Sequence, residues 1–159
     1  MKELSHVNEQ GLPGMVDVSG KAVTTRVAVA EGVVRFPKDI FEQLQGQDFL
    51  TKKGAVIQTA VVAGVMAVKK TSELIPLCHP LALTGCKIEI VPEGESSLKI
   101  TCRVRCEGKT GVEMEALTGV SGAALCIYDM CKALSHDILI TGIQLQTKTG
   151  GKSDFNREQ

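Results

Sequence analysis

Asp129 and Lys132 stand three residues apart in the run Cys126-Ile127-Tyr128-Asp129-Met130-Cys131-Lys132-Ala133. On a helix, positions i and i+3 share a face, so the carboxylate and the amine project together. A carboxylate beside an amine is a minimal acid–base couple. Taken by itself, such a pair is more often a solvated ion pair of small energetic worth. Other reactive side chains accompany it. His79 lies in Leu77-Cys78-His79, bracketed by Pro76 and Pro80. Proline fixes its own φ and turns the preceding residue away from helix, so this loop is stiff. A stiff loop presents side chains and amides with little entropy left to lose, although a lone histidine is more often structural than catalytic. Cys78 would need a base and an electropositive setting to act as a nucleophile, and it reads as pocket wall. Glu113-Met114-Glu115 opens a helix, a place where acids also simply suit the helix dipole.

Lys53, Lys132, Lys148, Lys152 and Arg26 are candidate anion ligands, each of which alone reads as solvated surface. Glycines in Gly108-Lys109-Thr110-Gly111 and Gly150-Gly151-Lys152-Ser153 allow backbone amides to approach a phosphate. Neither run has the glycine spacing of a P-loop, so neither is an ATPase signature. The six cysteines include no Cys-x-x-Cys, which argues against a zinc or thioredoxin-type site. Cys102 and Cys106 alternate with Ile100 and Val104, as small buried hydrophobes on one strand face would.

These residues must be positioned by a chain of 159 residues, long enough for one domain with its own core. Lys+Arg 18 balances Asp+Glu 18, which argues against broad nucleic-acid or anionic-membrane binding while permitting a local basic pocket. The first residues lack an apolar run, and the most apolar stretch, Ala55 to Val68, is short for a membrane span. A soluble, cytoplasmic protein is expected, with disulfides absent.

Alternation predicts a strand from Ala22 to Phe36, and Pro37 opens a short helix ending near Gly46. Lys52-Lys53-Gly54 is a basic turn into a long helix over 55–70. Strands over 84–92 and 97–107 flank a hairpin turn at Glu93-Gly94-Glu95-Ser96. A second long helix runs to about Leu134, and a last strand covers 138–147. The order β-α-β-β-α-β predicts an α+β fold of ferredoxin-like type. It has an antiparallel sheet with two long helices packed on one face, plus the short extra helix. Residues 1–14 read as a flexible N-terminal arm, 15–149 as a single catalytic domain and 150–159 as a flexible C-terminal tail. If the second long helix is continuous, Glu115 and Asp129 are roughly 21 Å apart at ~1.5 Å per residue. One small ligand in one chain would struggle to touch both. Either the substrate is large or the pocket is shared between subunits.

Three blocks together resemble the cyclic pyranopterin monophosphate synthase family, MoaC, of molybdenum cofactor biosynthesis. They are Ile75-Pro76-Leu77-Cys78-His79-Pro80, Gly108-Lys109-Thr110-Gly111-Val112-Glu113-Met114-Glu115-Ala116-Leu117 and Ile127-Tyr128-Asp129-Met130-Cys131-Lys132-Ala133. The resemblance extends from Met15-Val16-Asp17-Val18-Ser19 to Gly150-Gly151-Lys152-Ser153. It implies a lyase that converts (8S)-3′,8-cyclo-7,8-dihydroguanosine 5′-triphosphate to cyclic pyranopterin monophosphate with release of pyrophosphate. It further implies a ferredoxin-like fold and a homohexamer, a trimer of dimers with active sites at the dimer interfaces. Asp129, Lys132 and Lys53 are implied to be catalytic. Leu77, Cys78, His79, Glu113, Met114 and Glu115 match the substrate-binding segments, and Arg26 and Lys148 resemble further pocket contacts. No tightly bound cofactor or protein-held metal is implied, but Mg²⁺ can accompany the triphosphate. In this reading, Lys53 close to Lys132 would lower the Lys132 pKa towards neutrality by like-charge repulsion. The competing class is a non-catalytic ferredoxin-like module that binds a nucleotide; it would release no pyrophosphate.

Overall fold

The computed structural model describes residues 11–157. Most of the expected arm over 1–14 therefore lies outside the described residues. The first long strand is β1 (Thr24–Arg35), followed by the short helix α1 (Lys38–Gln45). A small hairpin, β2 (Leu50–Thr51) and β3 (Gly54–Ala55), leads directly into the long helix α2 (Val56–Lys69). One helical turn, α3 (Thr71–Leu74), precedes the paired strands β4 (Leu83–Glu93) and β5 (Ser97–Gly108). The second long helix, α4 (Glu113–Cys131), is unbroken, and β6 (Leu139–Thr149) and β7 (Phe155–Asn156) close the chain.

The large sheet has the order β4-β5-β1-β6-β7, and every neighbouring pair is antiparallel. Its first four strands, with α2 and α4, give the ferredoxin-like α+β arrangement anticipated from the sequence. The alternation in β5 is realised: Leu98, Ile100, Cys102, Val104 and Cys106 are all buried. In β1 the helix-facing set is Ala28, Ala30, Gly32 and Val34, and Ala28, Ala30 and Val34 are fully buried. Valines of β1 thus occupy the other face at positions 27, 29 and 33, where they are only half-covered. Small residues on β1 make room for α4, and Gly32 faces Val120 directly. Burying each large side chain such as Leu98 or Ile100 stabilises the fold by about 1.5–3 kcal/mol.

The two long helices also touch each other closely. A Cβ at Gly64 of α2 would stand 2.9 Å from the Gly119 carbonyl oxygen of α4 and would strike Ile88. A Cβ at Gly119 would meet Cys102 Sγ and Val68 Cγ2, both at 2.6 Å. The glycines cost helix propensity, and packing against the sheet offsets that cost. The consequence is a rigid central rod, α4, of 19 residues, about 28 Å long.

Differences from the sequence reading are local. Lys132 caps α4 rather than lying inside it, and its amide donates to the Tyr128 carbonyl at 2.8 Å. Pro37 sits just before α1 as its cap. The segment after residue 149 contains β7, whose Phe155 and Asn156 pair with Lys148 and Thr147 of β6.

Candidate active site

Lys53 stands at the tip of the β2–β3 hairpin. The chain enters this hairpin through two consecutive left-handed residues, Asp48 (φ 50°) and Phe49 (φ 55°). A left-handed non-glycine residue costs about 1–3 kcal/mol and persists only when its surroundings over-determine it. Here they do. The Phe49 amide donates to the Leu44 carbonyl at 2.8 Å, and the Val56 amide donates to the Phe49 carbonyl at 2.9 Å. The Phe49 ring packs edge-on to Phe41 at 5.6 Å, and Phe41 packs on Phe36 at 5.7 Å.

The hairpin tip reaches the C-terminal end of α4. Lys53 Nζ donates to Asp129 Oδ2 and to the Asp129 main-chain carbonyl, both at 2.8 Å. Lys132 Nζ lies 2.7 Å from Asp129 Oδ1. One carboxylate therefore separates two ammonium groups, at a helix end where the macrodipole favours cations. Hydrogen bonds first from Lys132 and then from Lys53 hold the Asp129 pKa down at about 2. Its bond to Asp129 raises the Lys132 pKa above the ordinary value. This corrects the expectation that Lys53 would drive Lys132 towards neutrality: Asp129 stands between the lysines, and attraction outweighs repulsion. Cavities of about 420 and 390 Å³ flank the triad, sharing Lys53 as a common wall.

The N-terminal end of α4 differs. Leu77, Cys78 and His79 face Glu113, Met114 and Glu115 across a cavity of about 140 Å³. Glu115 is only 4% exposed. Burial raises its pKa, with the neighbouring Glu113 charge adding to the shift. Burial and then Glu115 raise the Cys78 pKa as well, so the thiol form is favoured and Cys78 is a poor nucleophile.

A second cavity, about 230 Å³, adjoins this one and shares Thr110, Gly111 and Glu113 with it. It is lined by Lys21, Arg26, Lys109, Lys148 and Lys152, a concentration of cations suited to a polyanion. Glu113 offsets part of that charge through its ion pair with Lys148 at 3.2 Å. The Arg26 guanidinium donates to the Gly108 and Lys109 carbonyls, each at 3.3 Å, which fixes the loop beneath it. Gly150, at φ +86°, lies so close to Thr25 that a side chain there would overlap the strand backbone. The Thr24 hydroxyl donates to the Gly150 carbonyl at 2.7 Å, holding Lys152 near the pocket rim.

The chain thus brings the sequence-predicted residues together in two groups. Leu77, Cys78, His79, Arg26, Glu113, Met114, Glu115 and Lys148 gather at one end of α4. Lys53, Asp129 and Lys132 gather at the other. Lys21 and Lys109 were not singled out as ligands from sequence. Their signal was position: one follows the Met15–Ser19 block, and the other lies inside the Gly108–Gly111 loop. Among the described residues no group of three or more His, Cys, Asp or Glu is arranged to hold a metal. No helix among them is long and apolar enough to cross a membrane.

Comparison with known proteins bears on the same residues. Residues 15–151 match the MoaC family. A protein of Xanthomonas oryzae pv. oryzae named cyclic pyranopterin monophosphate synthase is 55% identical over 156 residues, covering 98% of this chain and 94% of the relative. A synthase of the same name from Helicobacter hepaticus is 51% identical over 158 residues, covering 98% of each. The molybdenum cofactor biosynthesis bifunctional protein of Synechocystis is 52% identical over 157 residues, matching 96% of this chain and 45% of that longer protein. The chain, with both of its reactive clusters inside the matched span, belongs to the MoaC family.

Proposed function

We propose that this chain is a cyclic pyranopterin monophosphate synthase, with catalysis assigned to residues 15–149. Its substrate would be (8S)-3′,8-cyclo-7,8-dihydroguanosine 5′-triphosphate, and its products cyclic pyranopterin monophosphate and pyrophosphate. The observation that carries this reading is the pairing of Asp129 with Lys53 and Lys132 in a chain that also holds a cation-lined cavity. Proton transfer and polyanion binding are the two demands of the reaction, and the chain supplies both.

In the cyclisation, a hydroxyl of the substrate attacks the innermost phosphorus and gives up its proton to solvent water as the new O–P bond forms. The bond from that phosphorus to the bridging oxygen breaks, and pyrophosphate leaves with the electron pair. Lys132, as an ammonium, steadies the negative charge on the leaving pyrophosphate, can hand it a proton, and is reprotonated from solvent. Asp129, ionised because its pKa is held at about 2, orients both lysines and accepts hydrogen bonds. Arg26 and Lys148 hold phosphate oxygens, and a Glu113 or Glu115 carboxylate receives N–H donors of the guanine-derived ring. Mg²⁺ enters in this reading as a companion of the triphosphate, because the cavity side chains are mainly cationic and suit phosphate oxygens rather than a metal.

The two groups sit at opposite ends of an unbroken 19-residue helix. We therefore place the complete site between two subunits, one giving its 53/129/132 cluster and the other its 77–79 and 113–115 cluster. A homohexamer, a trimer of such dimers, accommodates this arrangement, and a nucleotide-derived substrate suits the cytoplasm. The deciding experiment supplies the cyclised GTP derivative and measures pyrophosphate and the cyclic phosphate product. Stoichiometric release of both is expected; substrate binding without release would leave only a nucleotide-binding module.

A further inference from the structure

The segment from Asp17 to Lys21 belongs to no helix or strand and carries Lys21 to the wall of the cation-lined cavity. Its local shape is self-made. The Ser19 amide donates to Asp17 Oδ1 at 2.8 Å, and the Lys21 amide donates to the Val18 carbonyl at 3.0 Å. That turn orients the Lys21 side chain, which lines the cavity. Its attachment to the body comes from elsewhere: Lys109 Nζ donates to the Ser19 carbonyl at 2.7 Å. Lys109 is well placed to do this because Arg26 holds its carbonyl, and that of Gly108, from below. The loop is thus clamped on one side and reaches for the strap on the other. The hydrogen bond from Ser19 holds the Asp17 carboxyl below its ordinary value, and the charges of Lys109 and His79 add to that.

We infer that Lys109 is a positioning residue for the polyanion site, fastening the 17–21 strap so that Lys21 completes the ring of cations. This rests on the reading of the cavity as the triphosphate pocket. One of the three N–H donors of the Lys109 ammonium holds the Ser19 carbonyl, and this contact is the route by which Lys109 acts on Lys21.

The test uses the intact protein with inorganic tripolyphosphate as the probe. Lys109→Met should weaken tripolyphosphate binding about tenfold, the loss expected for a charge-assisted hydrogen bond. Lys21→Met should weaken it comparably, and the double variant should be little worse than either single one. Losses that multiply in the double variant would make Lys109 an independent phosphate ligand and overturn the inference. Hydrogen exchange supplies the second readout. Lys109→Met should speed exchange at Ser19 and Lys21 while leaving α4 protected, and Lys109→Arg should restore slow exchange. Unchanged exchange in the strap would also overturn the inference. If the unaltered protein fails to bind tripolyphosphate, the pocket reading itself fails, whereas the exchange data separately decide what Lys109 holds.

Discussion

The two ends of α4 solve opposite problems. At the N-terminal end, Glu115 is buried and its carboxyl resists ionisation; adjoining cavities are walled by proline-stiffened and glycine-tight loops. At the C-terminal end, Asp129 and Lys132 are about half exposed, and hydrogen bonding, not burial, sets their charge. One end holds a carboxyl already taken out of water. The other is a charged triad still open to water, and it becomes a strong electrostatic environment only when something covers it. A reaction that needs both ends gains from bringing the open end of one subunit against the recessed end of another.

The largest effect is expected at the open end. Lys132→Ala should lower turnover by about 10²–10⁴-fold, the usual contribution of a general acid–base group, while leaving the melting temperature nearly unchanged. Near-normal product formation would remove Lys132 from catalysis. Mixing subunits tests whether the ends cooperate across chains. Glu115→Ala and Asp129→Ala, each inactive, should recover up to about a quarter of normal activity after exchange, because half of the randomly formed dimers carry one intact site of two. No recovery despite proven exchange would place each whole site within one chain.

Between the ends, Gly64→Ala should destabilise the fold by about 1–3 kcal/mol through overpacking against Ile88 and Gly119. Chemical denaturation would measure it, and an unaffected midpoint would mean that α2 shifts freely against α4.

The recessed end has a subtler signature. Because the Glu115 pKa is raised from 4.5, its ionisation opposes folding as pH climbs through that raised value. Glu115→Gln should therefore raise the melting temperature by a few degrees at pH 7, with the gain disappearing below pH 4.5. Asp129 and Lys132 differ from Glu115 in that their charged forms are the ones the fold favours. The contribution of Asp129 is complete above its ordinary 3.8 and is lost only as pH falls through about 2. That of Lys132 is complete below 10.5 and is lost as pH rises through its raised value. A melting-temperature advantage of Glu115→Gln that persisted in acid would mean that charge burial is not its source.

Long periodic elements were readable in advance because one face of each had to be apolar. Leu98 to Cys106 alternate without exception, and both long helices announce themselves by length. The β2–β3 hairpin was not readable, since two-residue strands carry no period, and its entry depends on Asp48 and Phe49 adopting conformations that neither residue type prefers. The candidate residues stand out in the sequence through their blocks and proline brackets, and the fold gathers them into two groups. Their electrostatics are hidden there: whether Lys53 repels Lys132 or shares Asp129 with it depends on where a hairpin tip lands, 76 residues away in sequence. Lys21 was equally hidden, because a lysine in an irregular segment looks like solvated surface until the cavity beside it is seen.

The left-handed pair at 48–49 has a practical corollary for anyone seeking a hardier enzyme. Glycine adopts that conformation freely, so Asp48→Gly would relax the turn and should leave melting temperature equal or higher. The same relaxation would let the hairpin tip wander, and turnover should fall with little change in KM. A selection scored only on heat tolerance would accept this substitution early and discard activity unnoticed. Recording both quantities on the one variant shows whether conformational tension in the turn is what keeps Lys53 on target; undiminished turnover would show that it is not.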